Sequence, residues 1–277
     1  MRKTNKIMMM RILTSIAMFL SSSIQASTLS NWSYSGQSGP NHWANITNEY
    51  QLCSNGKNQS PINIEDAVKS NLFKLNADYY NVPLQIFNNG HTIQFNYSSI
   101  SDIKEHQVSI DGKLHLLPSA KKYNSSLKIS GEKYNLLQVH FHSPSEHQIN
   151  GIHHSLEAHF VHANTEGQLA VLGVLFKEGE ANSVINKLWE FMPGEKGAVK
   201  TIEGVTINGG DLLPDNLAYY HYRGSLTTPP CSEAVRWFLL KTPQTVSKEQ
   251  VKKFLSVIGE NNRPVQPMNA RFLLKTE

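Results

Sequence analysis

The feature that most constrains this 277-residue chain is a run in which polar side chains alternate with bulky apolar ones, Gln138-Val139-His140-Phe141-His142. Alternation of this kind is strand periodicity, so Gln138, His140 and His142 share one face while Val139 and Phe141 occupy the other. A second run repeats the pattern: Glu157, His159 and Val161 share a face, with Ala158 and Phe160 opposite. The 14 residues between the two runs leave room for a turn, which lets His159 approach the other two imidazoles from a neighbouring strand. Whatever fold the chain adopts must hold these runs side by side, and that calls for a sheet.

Three neutral imidazoles with an open fourth position are the ligand set of catalytic zinc, whereas a structural zinc site closes all four positions with protein atoms. Cys53 and Cys231 are not expected to complete the set. Gln138 and Glu157 each stand two residues before a histidine on the same face, where they are suited to accept the second ring N–H and so orient the ligand. Taken alone, an HxH pair in a strand also fits ordinary surface or core histidines. The third histidine, its acidic neighbour and the signs of export favour the metal.

Those signs lie at the N-terminus. Arg2, Lys3, Lys6 and Arg11 form a basic start, residues 12–20 a short apolar run, and residues 21–26 a small-residue stretch suited to a signal peptidase. Residues 1–26 are therefore expected to be a signal peptide and residues 27–277 the mature domain, exported to the periplasm or secreted. The alternative is a retained N-terminal helix. The apolar run is under half of the roughly 20 residues that a membrane span needs, and no later stretch comes closer.

The whole chain has 26 Lys and Arg against 22 Asp and Glu, but four of those cations lie in the leader, so the mature formal charge is zero. The excess of positive charge that marks a nucleic-acid or anionic-membrane partner is absent, which leaves small neutral or anionic substrates. Both cysteines follow the leader and face an oxidising compartment, so a Cys53–Cys231 bridge is expected, with two buried thiols as the alternative.

From residue 83 onward, short β-branched and aromatic runs are broken by Gly, Asn, Asp and Pro. Strands are expected over 83–87, 92–97, 136–142, 156–163, 169–176, 218–222 and 234–240. A helix is expected over 247–258, where Ser247 and Gln250 form a capping box, Val246 can staple to Val251, and Gly259 ends the element. A weaker amphipathic helix spans 183–191. The expected fold is mainly β, in the α+β class: one domain with a large, twisted, mostly antiparallel sheet and a few peripheral helices.

The strings GPNHW (39–43), NQSPINI (58–64), NNGH (88–91), QVHFHSPSEH (138–147), LEAHFVH (156–162), GSLTTPPCSE (224–233) and NNRPVQP (261–267) resemble those of alpha-class carbonic anhydrases, in the same order. The resemblance covers nearly the whole mature chain. It implies a zinc lyase, monomeric or homodimeric, that hydrates carbon dioxide reversibly to bicarbonate and a proton by attack of zinc-bound hydroxide. His140, His142 and His159 would hold the zinc, with Gln138, the carbonyl of Asn261, and Glu157 orienting them in that order. Thr227 would hydrogen-bond Glu146 and aim the nucleophile, and His91 would shuttle the proton along waters held by Tyr34, Asn89 and Gln94. Val161, Val171, Leu226 and Trp237 would wall the substrate pocket, with Thr228 beside it.

Some positions depart from the usual pattern: Ser143-Pro144 follows the second ligand, Arg223 precedes GSLTTPP, and Gln94 stands where asparagine is common. His147, His162 and Tyr222 match positions expected to be hydrogen-bonded scaffold. His42, His106, His115, His153, His154 and His221 carry no expected metal role. Two other readings remain: a cupin-type metalloenzyme, with Glu146 a direct ligand beside His140 and His142, and a catalytically silent zinc-binding module.

Overall fold

Each strand expected from the alternation of apolar residues is present in the computed structural model, which describes residues 32–97, 106–110, 113–117 and 125–277. The expected leader, residues 1–26, lies outside the described residues. The main elements are β1 (Val82–Asn88), β2 (Ile93–Asn96), β3 (Glu132–His142), β4 (Leu156–Ala163), β5 (Leu169–Glu178), α1 (Ser183–Phe191), β6 (Val199–Ile207), β7 (Tyr219–Ser225), β8 (Glu233–Leu240) and α2 (Lys248–Ile258). They build most of a 13-stranded sheet, with spatial order β6-β1-β2-β3-β4-β5-β8-β7, extended by Leu274–Lys275 and then Val68–Lys69.

Most neighbours pair antiparallel, as expected. The exceptions include β5 and β8, which run parallel at the centre with Val171 opposite Trp237. A parallel pair needs a long crossover. Here the chain between them forms α1 and β6 and then β7, which pairs on the far side of β8. Strand β6 is not among those expected from the sequence. It is an edge strand, mostly exposed, so it lacks the apolar alternation that marks the others.

Both faces of the central strands are buried. Val139 and Phe141 of β3, Ala158 and Phe160 of β4, and Leu172 and Val174 of β5 join the larger core with Leu188 and Trp189 of α1 and Phe254 of α2. The helices begin where the sequence indicates. Asn182 caps α1 by accepting from the N–H groups of Val184 and Ile185, and the Ser247–Gln250 capping box opens α2. Trp189 stacks on Phe254 at 5.5 Å and joins the two helices. Val161, Val171, Leu226 and Trp237 belong to a separate cluster, and the imidazoles lie on that side of the sheet.

His162 falls on the larger-core side. Its Nε2 lies 2.7 Å from the Tyr79 hydroxyl and its Nδ1 3.2 Å from the Ala170 carbonyl, so one neutral tautomer satisfies both. Burial pushes its pKa down to about 3, against hydrogen bonds to backbone groups of Ala170 and Phe160. The unfolded chain then binds a proton below an ordinary value of about 6.5 that the folded chain refuses, so stability falls as pH falls through this window. Between pH 6.5 and 5 this one group is expected to remove about 2 kcal/mol. Urea unfolding at the two pH values tests it: His162→Gln, which can keep both partners, should lose less by that amount, and an equal loss would refute the assignment.

Candidate metal centre and active site

Strand register brings the three expected ligands together. His159 pairs directly with His140, and Glu157 with His142. The imidazole centroids lie 5.0 Å apart for His140 and His142, 5.1 Å for His140 and His159, and 4.6 Å for His142 and His159. One potential ligand atom from each residue lies within 4.8 Å of the others.

One nitrogen of each ring is held by protein. Nδ1 of His140 donates to Gln138 Oε1 at 2.8 Å, Nδ1 of His142 to the Asn261 carbonyl at 2.7 Å, and Nε2 of His159 to Glu157 Oε1 at 2.8 Å. These are the three partners expected from the sequence. The other nitrogens, Nε2 of His140, Nε2 of His142 and Nδ1 of His159, are the ones a metal ion could take.

Glu157 does more than orient one ring. It also accepts from His147 Nδ1 at 2.7 Å and from the His147 N–H at 2.9 Å. His147 Nε2 in turn meets the Tyr222 hydroxyl at 2.7 Å, and Tyr222 meets Ser60 Oγ at 2.8 Å. Burial alone would raise the Glu157 carboxyl, but His147 and His159 beside it hold it well below the ordinary range. His159 is shifted down, because burial outweighs the pull of Glu157. A neutral imidazole is the form that binds a metal.

Glu146 is fully buried and accepts the Arg263 N–H at 2.9 Å through Oε1. Its Oε2 lies 3.6 Å from His142 Nε2 and 3.9 Å from His159 Nδ1, with no hydrogen-bond partner of its own. Burial raises this carboxyl to about 7, against His159, the Arg263 N–H and a hydrogen bond from Thr227. A buried carboxylate oxygen left in this state is costly unless a cation lies near. Three imidazole donors and one orphaned acid oxygen therefore fit a divalent metal. The cupin reading finds no support, because the third member of the cluster with His140 and His142 is His159, and Glu146 is not grouped with them.

Val161, Val171 and Trp237 lie in register across β4, β5 and β8. The Trp237 ring sits 4.9 Å from His159, so the apolar wall adjoins the ligands. Leu226 joins the same cluster, and Thr227 and Thr228 are both nearly buried beside it. The Cys53–Cys231 disulfide is formed, with a sequence separation of 178.

Gln94 is opposite His140 in the β2–β3 register. Asn89 Nδ2 donates to Gln94 Oε1 at 3.3 Å, and Asn89 Oδ1 accepts the His91 N–H at 2.8 Å. Tyr34 lies edge-on to the His91 ring at 6.5 Å. Two further residues near the site do not stand out in the sequence. Trp32 stacks on His91 at 3.7 Å, and nothing in the order of residues marks that contact. Arg263 lies within the NNRPVQP string, so its place is visible there although its role is not.

A family model described as eukaryotic-type carbonic anhydrase matches residues 38–277. A carbonic anhydrase of Neisseria gonorrhoeae is 40% identical over 246 residues, covering 88% of each chain. The solved alpha-carbonic anhydrase of Thermovibrio ammonificans, complexed with the inhibitor sulfanilamide, superposes with a TM-score of 0.76 at 43% identity, over 89% of this chain and 99% of that one. A hyperthermostable carbonic anhydrase from an active hydrothermal vent chimney gives 0.77 at 43% identity, over 89% and 100%. The imidazole cluster lies within the matched span, and the chain belongs to the alpha-class carbonic anhydrase family.

Proposed function

We propose that the chain hydrates carbon dioxide reversibly to bicarbonate and a proton, with zinc held by His140, His142 and His159. The observation that carries this reading is the convergence of three imidazoles whose remaining nitrogens are each fixed by a protein acceptor. A zinc dication bound by three neutral ligands keeps its charge and lowers the pKa of water to about 7, the value already established for carbonic anhydrases as a class.

The chain's own groups do the rest. Thr227 donates its one hydroxyl proton to Glu146, so its lone pairs can only accept from the attacking oxygen, and this fixes the direction of attack. Carbon dioxide offers little to hydrogen-bond, and Val161, Val171, Leu226 and Trp237 give it an apolar surface, with Thr228 at the edge to meet bicarbonate. His91 takes the proton: an imidazole exchanges it with buffer near neutral pH. A cavity of about 470 Å³ bordered by Trp32, Tyr34, His91, Lys196 and Glu260 supports that exchange. Tyr34, Asn89 and Gln94 hold the connecting waters.

Residues 1–26 are the export signal and 27–277 the catalytic domain, released to the periplasm or outside as a monomer or homodimer. The disulfide supports an oxidising destination, and no helix among the described residues is long and apolar enough to cross a membrane.

Stopped-flow carbon dioxide hydration and metal analysis on one sample test the reading. About one zinc per chain is expected, with chelation removing metal and activity together and zinc restoring both. Metal-loaded protein without hydration activity would instead identify a binding module.

A further inference from the structure

Arg263 is a buried cation, 1% exposed. Its guanidinium is not spent on a carboxylate. Nη1 donates to Gln59 Oε1 at 2.9 Å and to the Ser60 carbonyl at 2.7 Å, while Nη2 donates to the Cys53 carbonyl at 2.7 Å. The Trp43 ring lies against it, 5.5 Å from the guanidinium carbon. Burial draws its pKa down to about 10, which leaves it charged at neutral pH. A planar fork of N–H groups can meet three acceptors on two segments at fixed angles, which the single ammonium of lysine cannot do.

Two routes lead from this residue to the groups that aim the nucleophile. Its backbone N–H donates to Glu146 Oε1 at 2.9 Å. Its side chain holds Gln59, whose Nε2 donates to the Cys231 carbonyl at 3.0 Å. The Cys231 N–H returns to the Thr228 carbonyl at 2.8 Å, and the Leu226 N–H meets the Ser232 carbonyl at 2.9 Å, closing the turn that carries Thr227. One side of the Glu146–Thr227 pair is therefore fixed by the Arg263 backbone and the other by its side chain acting through Gln59.

We propose that Arg263, with Gln59 as its strut, is a positioning residue that sets the separation of the Glu146 carboxylate from the Thr227 turn. The inference rests on the proposed function, since Thr227 matters only if it aims a nucleophile. Arg263→Lys and Gln59→Met are made in the wild-type chain and in Thr227→Ala. In the wild-type background each is expected to lower kcat for hydration about 10-fold, with zinc content unchanged. In Thr227→Ala the same replacements should change the residual rate by less than about 2-fold, because the group they position is already gone.

A purely structural role predicts the same factor in both backgrounds. That result, or an unchanged wild-type rate, overturns the proposal. Crystal structures of the two variants give a reading independent of activity. The contact from residue 263 N to Glu146 should lengthen beyond about 3.5 Å in Arg263→Lys, or the Thr227 turn should shift in Gln59→Met. Unmoved groups in both would defeat the strut even if the wild-type chain proved inactive, whereas inactivity with the expected shifts would defeat only the functional reading.

Discussion

Thr227→Ala is expected to lose about 10²-fold in carbon dioxide hydration while keeping its metal, since misdirecting a reacting atom by about 1 Å costs that much. The hydroxyl hydrogen-bonds the Glu146 carboxylate, whose Oε2 lies 3.6 Å from His142 Nε2. Glu146 is itself fixed by the Arg263 N–H at 2.9 Å, so the threonine proton has one destination. Under the proposed function, loss of the hydroxyl removes the acceptor that aims the attacking oxygen. Thr227→Ser, which keeps the hydroxyl, should recover most of the rate. Rates for Thr227→Ala within about 2-fold of wild type, measured by stopped flow at matched zinc content, would remove the orienting role.

The second large effect concerns stability. Replacing Cys53 and Cys231 together by alanine is expected to cost roughly 3–5 kcal/mol in urea unfolding. The bridge closes a loop with a sequence separation of 178, for which the chain-entropy argument gives about 5 kcal/mol. Alanine suits the site, because the bridge lies in an apolar cluster with Trp32, Trp43 and Tyr50. The bridge also ties the Cys53 segment, which accepts from Arg263, to the turn that carries Thr227. A loss below about 1 kcal/mol would mean that the unfolded chain is already compact enough for the bridge to add little.

These effects separate what is local from what is not. His140 and His142 share a face because side chains alternate along any strand, and five residues suffice to show it. Ser247 and Gln250 cap α2 through contacts three residues apart, which is again a local matter. By contrast, β6 is mostly exposed on an edge, and its apolar residues do not alternate. No periodicity reveals such a strand, because burial on one face is what creates the pattern.

The sequence by itself determined the kind of chemistry: a sheet bearing three imidazoles, with Gln138 and Glu157 on the correct faces to orient two of them. It also held the strings by which the chain resembles its family, and so the expected roles of Thr227, Glu146 and His91. Only the tertiary structure decided the register that sets His159 opposite His140 and the parallel pairing that brings Trp237 beside them. It alone placed Arg263 against Gln59, Ser60 and Cys53, across separations of 204, 203 and 210 residues. The physical reason is that periodicity follows from the geometry of neighbouring residues. Register and long-range hydrogen bonds are instead chosen by the burial of the whole chain, where a slip of one residue would turn every side chain of a strand to the wrong face.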